Sequence, residues 1–301
     1  MKLLIAIAAV TALLTSAFAA DMAVKAPPAA TAPSYSWTAF YVGGNAGYGW
    51  GDPRTEFAGG GTTVTDPFGC PFCFTNPPAT IGDSQPRRLD GFAGGGQIGY
   101  NYQVRPNWLL GIEADIQNSA QRGSNTVVDA LSGTFCFAIG GPGSCAAIRP
   151  LTGTATTSYE ARIDWFGTVR GRVGVLINDG LLLYGTGGLA YGRVGVSGNV
   201  GLNATASGFV GPTTSAFGQS KTNSGLAAGA GLEGRFSASL PQNCTWRLEY
   251  LYVDLGSLDT STSIIAASSV PAIASNLTGT MTTRTHFIDN IVRVGLNYQF
   301  H

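Results

Sequence analysis

Lysine is nearly missing from this chain: Lys2, Lys25 and Lys221 are the whole supply. Lysine is the usual solubilising surface residue, so its scarcity argues against an ordinary soluble exterior. Charge is thin, at 11% of residues, and balanced at 17 basic against 17 acidic groups. Such a balance leaves no basic footprint for nucleic acid. Histidine is confined to His286 and His301. Neither has metal-ligand spacing, and so few histidines exclude a Ser-His-Asp arrangement; no metal, cofactor or catalytic residue is expected. After the first 20 residues no apolar run reaches the ~18 residues of a spanning helix.

What the chain has in quantity is glycine, 43 of 301 residues, within a 44% hydrophobic composition. Disorder requires low hydrophobicity, so this is a folded, glycine-rich chain. Its start is a leader: Lys2, an apolar run from Leu3 to Leu14, then Ala17-Phe18-Ala19. That pattern is a secretory signal peptide over 1–20, cleaved after Ala19 or Ala20. Residues 21–36, rich in Ala and Pro, form an extended periplasmic segment. The remaining 37–301 carry the fold.

The stretch from Tyr159 to Val175 sets the pattern. Odd positions are apolar or small, from Tyr159, Ala161, Ile163 and Trp165 to Val173 and Val175. Even positions carry Glu160, Arg162, Asp164, Arg170 and Arg172. A period of two over that length predicts one long strand with an apolar and a charged face. Soluble strands run about 5–6 residues, so the pattern suits a membrane barrel with lipid outside and charge within. Further strands are expected near 37–50, 90–103, 108–117, 181–196, 225–236, 245–255 and 285–300. Tight turns at Arg105-Pro106-Asn107, Asn178-Asp179-Gly180 and Leu240 to Asn243 alternate with long segments at 51–89, 118–157, 197–223 and 257–284.

The expected fold is therefore all-β: an eight-stranded antiparallel up-and-down transmembrane barrel with four long extracellular loops, both termini in the periplasm. Trp37, Trp50, Trp108, Tyr159, Trp246 and Tyr298 fall near strand ends, where aromatic girdles belong. The inward face gathers Glu113, Asp115, Glu160, Asp164, Glu233, Glu249 and Asp289 with Arg162, Arg170, Arg172, Arg235, Arg247 and Arg293. Arginine forks match carboxylates, so a ladder of ion pairs is expected. A charged constriction for solutes is the other reading. Eight strands enclose a lumen that side chains just fill, which favours the ladder, although inward Gly43, Gly47, Gly95 and Gly99 leave room for a narrow wet path.

Two motifs mislead. Gly94 to Gly99 and Gly229 to Gly234 both fit G-x-G-x-x-G, but no helix opens after either, so they are strand glycines rather than a dinucleotide site. Cys70-Pro71-Phe72-Cys73 resembles a redox dithiol, yet an exported loop favours local disulfides at Cys70–Cys73 and Cys136–Cys145. Cross-loop pairing stays open, and Cys244 is left as a free buried thiol.

Phe40-Tyr41-Val42-Gly43-Gly44, Gly111-Ile112-Glu113-Ala114-Asp115, Trp165 to Arg172 and Trp246 to Tyr252 together resemble the small outer-membrane immunogenic protein family. These are porin-like barrels of Gram-negative bacteria related to the OmpA and OmpX type. The resemblance implies an integral outer-membrane protein with a structural or weakly pore-forming role, surface-exposed antigenic loops and no catalysis. The alternative is a loop-mediated adhesin or ligand-binding surface protein. Implied partners are outer-membrane lipid and lipopolysaccharide, the barrel-assembly machinery, and a host surface or small solutes. The ending with Gly295, Tyr298 and Phe300 is similar to the assembly signal of such barrels, with His301 added after the usual terminal Phe.

Overall fold

A computed structural model describes residues 36–65, 81–82, 88–138, 145–206, 209–236, 243–267 and 276–301. The leader, the Ala/Pro segment, Cys70 and Cys73 lie outside the described residues, as do the side chains of Cys136 and Cys145. The backbone register sets Cys136 opposite Ile148 and Cys145 opposite Ala138.

The strands are β1 (Ala39–Gly51), β2 (Arg54–Thr65), β3 (Ile81–Gly82), β4 (Leu89–Arg105), β5 (Trp108–Ala138), β6 (Cys145–Asn178), β7 (Leu181–Ala206), β8 (Phe209–Arg235), β9 (Cys244–Ala267) and β10 (Asn276–Phe300). Eight of them, β1 and β4 to β10, pair antiparallel in sequence order, and β10 returns to β1, closing the ring. β2 continues β1 along the same partner: Trp50 faces Asn290, and Arg54 faces His286. The interruption falls at Asp52-Pro53, where proline has no amide hydrogen for the ladder.

Closure is placed where lipid requires it. Around the ring the outward positions are apolar: Phe40 and Val42, Ile98 and Tyr102, Leu110 and Ile112, Val173 and Val175, Leu183 and Leu189, Leu248 and Tyr250, Leu296 and Phe300. With no water in hydrocarbon, every backbone amide must be paired, and a closed ladder achieves that. Trp108 and Tyr298 stand outward at the rim as expected of a girdle, but Trp37 and Tyr159 are buried inward. Trp37 instead donates from its indole to Asp179 O (3.4 Å) across the periplasmic rim.

The long connections are built differently from expectation, because most of their residues prolong the strands. The β8–β9 ladder stops at Leu226 opposite Asp254, and the β4–β5 ladder stops at Asp90 opposite Arg122. Above these two seams, β5 to β8 run on as one sheet, and β9, β10, β2 and β3 as a second. Their inner faces pack together: the Phe57 and Tyr159 rings meet edge to face at 5.1 Å, and Val196, Phe217, Leu258, Met281 and Phe287 join the same buried cluster. Sequence periodicity misses these extensions because their side chains are largely Ser, Thr, Gly and Ala, which mark no face.

Two bulges reverse strand faces inside that upper half. In β6, Ile163 opposes Val194 and Trp165 opposes Arg193, leaving Asp164 without a partner. Below it the even residues point inward; above it the odd ones do, so Tyr159, Ala161 and Ile163 are buried. In β9, Phe287 faces Gly256 while Ile288 faces Asp254, which leaves Leu255 over. Gly256 adopts φ +71°, a conformation that favours glycine, and its amide donates to Asp254 Oδ1 (2.8 Å).

Candidate functional site

The interior of the closed ring holds one side-chain cluster to which all eight strands contribute. Three cross-strand pairs sit directly opposite in the register: Glu113 with Arg170, Glu233 with Arg247, and Glu249 with Arg293. Opposite charges set directly across a ladder stabilise the sheet. The side chains then reach across the lumen. Arg247 on β9 donates to Glu113 on β5 (2.7 Å), Arg170 on β6 to Glu249 on β9 (3.0 Å), and Arg293 on β10 to Asp115 on β5 (3.0 Å). Arg170 also bonds Glu113 (2.5 Å) and Asp115 (2.8 Å), and Arg172 bonds Glu233 (2.7 Å). Four guanidiniums (Arg170, Arg172, Arg247, Arg293) thus balance four carboxylates (Glu113, Asp115, Glu233, Glu249), none more than 4% exposed.

Tyr41 and Tyr184 complete the cluster, and sequence patterning missed both. Tyr41 donates its hydroxyl to Glu113 (2.5 Å) and accepts from Arg172 (3.0 Å). The Tyr184 ring lies under the Arg172 guanidinium at 4.0 Å, and its hydroxyl accepts from Arg247 (2.9 Å). Both were legible as inward aromatics opposite glycine: Tyr41 faces Gly99, and Tyr184 faces Gly231. A Cβ at Gly231 would stand 2.5 Å from the Tyr184 hydroxyl and 2.7 Å from the Leu248 carbonyl. Gly231→Val should therefore cost about 1–3 kcal/mol through overpacking, read as a lower temperature for loss of the compact band on unboiled gels.

The inward glycines hold no wet path at these points. The space beside Gly43 is taken by Asn297 and Gln97, beside Gly47 by Arg293, beside Gly95 by Gln117, and beside Gly99 by the Tyr41 ring. Above the cluster, Asp289 accepts from Gln121 (2.8 Å), and above that lies the apolar cluster, with a few buried threonines among it, Thr55 and Thr285 bonded to each other (3.2 Å). Asp289 is thus inward but belongs to a separate layer. Arg235 ends β8, half-buried. Three expected ladder residues are not in the lumen at all. Glu160, Arg162 and Asp164 lie beyond the β6 bulge on the outer wall, where Arg122 meets Glu160 at 3.6 Å and Asp164 is shared by Arg162 (3.1 Å) and Arg193 (3.5 Å). One extra residue in a strand sends every side chain past it to the other face.

Gly295, Tyr298 and Phe300 lie on the last strand, with Tyr298 and Phe300 outward and their rings 4.9 Å apart, while Gly295 faces Asn45. His301 bonds Ser36 O (2.8 Å) at the same rim. Cys244 is a free, half-buried thiol opposite Tyr298. The exclusion of a Ser-His-Asp grouping needs correcting. Ser257 Oγ lies 3.0 Å from His286 Nδ1, and His286 Nε2 lies 3.4 Å from Asp254 Oδ1. The two strands juxtapose these residues across the Gly256 bulge, so they tie β9 to β10 where the β8–β9 seam opens.

Residues 9–300 match the family model described as the outer membrane protein beta-barrel domain. The chain belongs to that family. A 31 kDa outer-membrane immunogenic protein of Brucella melitensis is 33% identical over 292 residues, covering 95% of this chain and 94% of that protein. A 22 kDa outer membrane protein of Rhizobium leguminosarum is 31% identical across 75% of this chain and 68% of its own length. Among solved structures, OprG of Pseudomonas aeruginosa covers 88% of this chain and 97% of itself at 12% identity, with a TM-score of 0.36. This outer-membrane barrel is accordingly an integral protein of the bacterial outer membrane, related to the immunogenic proteins of Brucella, with strands that project beyond the lipid-facing band.

Proposed function

We propose that this barrel works as a sealed membrane anchor for its projecting sheets, which act as a surface-recognition platform, rather than as a pore. The observation that carries this reading is the filled lumen. The charged cluster bridges β5 to β9 and β10 with dehydrated side chains, and an apolar layer lies above it. An ion crossing that stack would have to break several buried pairs and then enter hydrocarbon-like packing, each step costing several kcal/mol. The two upper sheets, by contrast, extend well past the ring and present exposed polar faces. That relatives 33% identical are described as immunogenic accords with such exposure.

Planar-bilayer recording of the refolded protein should give no steady conductance; a reproducible open level at low protein concentration would overturn the sealed reading. The recognition half is tested by replacing residues 262–280 with a two-residue turn, which leaves the ring and its lumen cluster intact. Heat-modifiable migration should persist while adhesion of expressing cells to host-cell surfaces is lost. Unchanged adhesion would remove this sheet from the recognition role.

A further inference from the structure

The residues that the β6 bulge turns outward form a patch on the barrel's outer wall. Its level is fixed by the aromatic pair Trp165 and Tyr191, whose rings meet edge to face at 6.1 Å at the top of the apolar band. Aromatic side chains of this kind mark the lipid–water boundary. Immediately above, Arg122 and Arg162 are direct cross-strand partners, and Arg193 lies on the next strand opposite Trp165. Like charges set directly opposite are destabilising unless an anion joins them. The nearby carboxylates do this only loosely. Glu160 reaches Arg122 at 3.6 Å and Asp164 reaches Arg193 at 3.5 Å, while Asp90, which faces Arg122, is taken by the Tyr48 hydroxyl. Exposed pairs of that length contribute little and exchange readily for a better anion.

Geometry holds one guanidinium in place. Arg162 lies flat over Gly195, whose missing Cβ would stand 3.1 Å from its Cζ, and bonds Asp164 through Nε. Its two terminal nitrogens have no hydrogen-bond partner among the described residues. Next to the arginines, a groove of about 730 Å³ is lined by Ser124, Thr126, Ser158, Ser197 and Asn199, with Glu160, the carboxylate that pairs with Arg122, at its arginine end. By strand alternation these share the outward face with Arg122 and Arg162. Forked cations beside a row of hydroxyls and an amide, at headgroup height, fit one chemistry: a phosphorylated sugar on an acyl-chain anchor.

We propose that the outer wall of β5 to β8 binds the phosphorylated saccharide headgroup of an outer-leaflet glycolipid. Arg122, Arg162 and Arg193 take the phosphate, and the hydroxyl-lined groove takes the sugar. The occupant is a lipid rather than a free sugar phosphate, because the site opens sideways above the apolar band and its acyl chains continue down the Trp165 side of the barrel. This site is on the wall, so it stands whether or not the projecting sheets bind a host.

The test uses the refolded full barrel in micelles and native mass spectrometry with lipid A as the probe. Arg122→Gln/Arg162→Gln/Arg193→Gln should weaken lipid A binding at least tenfold, whereas Arg284→Gln, which removes an exposed charge on the other sheet, should not. Dephosphorylated lipid A should bind the native protein at least tenfold more weakly, and the acyl-free phosphorylated disaccharide weaker still. Heat-modifiable migration of every variant confirms that it is folded. Equal lipid A affinity of native and triple variant overturns the site, as does an equal loss in Arg284→Gln. Binding of the acyl-free disaccharide as tightly as lipid A would overturn the lipid assignment.

Discussion

Glu113→Gln is expected to lower the stability of the barrel by about 3–5 kcal/mol, because it leaves a buried arginine cluster one charge out of balance. Glu113 sits at the crossing point of the lumen: it touches Arg170 at 2.5 Å and Arg247 at 2.7 Å, and takes the Tyr41 hydroxyl at 2.5 Å. The native cluster is neutral, and Gln keeps the shape while removing one negative charge. Since a folded domain is stable by only about 5–15 kcal/mol, a loss of that size should move the denaturant midpoint far and deplete the compact species on unboiled gels. The measurement is denaturant unfolding in detergent micelles, followed by tryptophan fluorescence.

The sign of the effect is checked by a second substitution. Glu113→Gln with Arg247→Gln restores neutrality, so the double variant should be more stable than Glu113→Gln alone. Additive losses would show that charge balance is not what holds the lumen. A control lies in the same expected ladder: Glu160→Gln removes a carboxylate that is 40% exposed and 3.6 Å from Arg122, and should change stability by no more than about 0.5 kcal/mol. Two glutamates with the same apparent sequence signature should thus differ severalfold in their effect.

That contrast shows where the sequence is legible and where it is not. The ring could be read from alternation alone, since Glu113, Asp115, Arg247, Glu249 and Arg293 sit between outward apolar residues with no bulge among them. Strand number, order and the tight turns follow from the same period and from Asn178-Asp179-Gly180, where the Asn178 side chain accepts the Gly180 amide (2.9 Å). Alternation says nothing about parity across a bulge, however. In β6 the odd residues stay apolar on both sides of Asp164, so the sequence looks like one uninterrupted strand. The upper core was hidden for that reason: Tyr159, Ala161 and Ile163 read as lipid-facing, although they pack against Phe57 and its neighbours. The tyrosines of the lumen were hidden for another, because a pattern search for charge passes over Tyr41 and Tyr184, and their glycine partners are distant in sequence.

The bulge therefore makes a prediction that an unbroken strand would invert. If β6 ran straight from Tyr159 to Val175, Ile163 would face outward and Arg162 inward. In the bulged strand Ile163 is 1% exposed within the apolar cluster, and Arg162 is on the outer wall. Ile163→Asp then replaces a packed side chain with a buried carboxylate beside the apolar cluster, where the polar side chain directly opposite, Gln121, already donates to Asp289. Loss of the apolar contacts of a large side chain costs about 2–5 kcal/mol, and burying an unpaired polar group adds about 1–3 kcal/mol or more. Arg162→Asp, on the half-exposed outer wall, loses one partly screened ion pair and should cost no more than about 1 kcal/mol. Denaturant midpoints of the two variants give the answer directly: a large loss for Ile163→Asp and little for Arg162→Asp places the reversal at Asp164. The opposite ranking would return Glu160, Arg162 and Asp164 to the lumen, and with them the wall would lose the charges on which its lipid site depends.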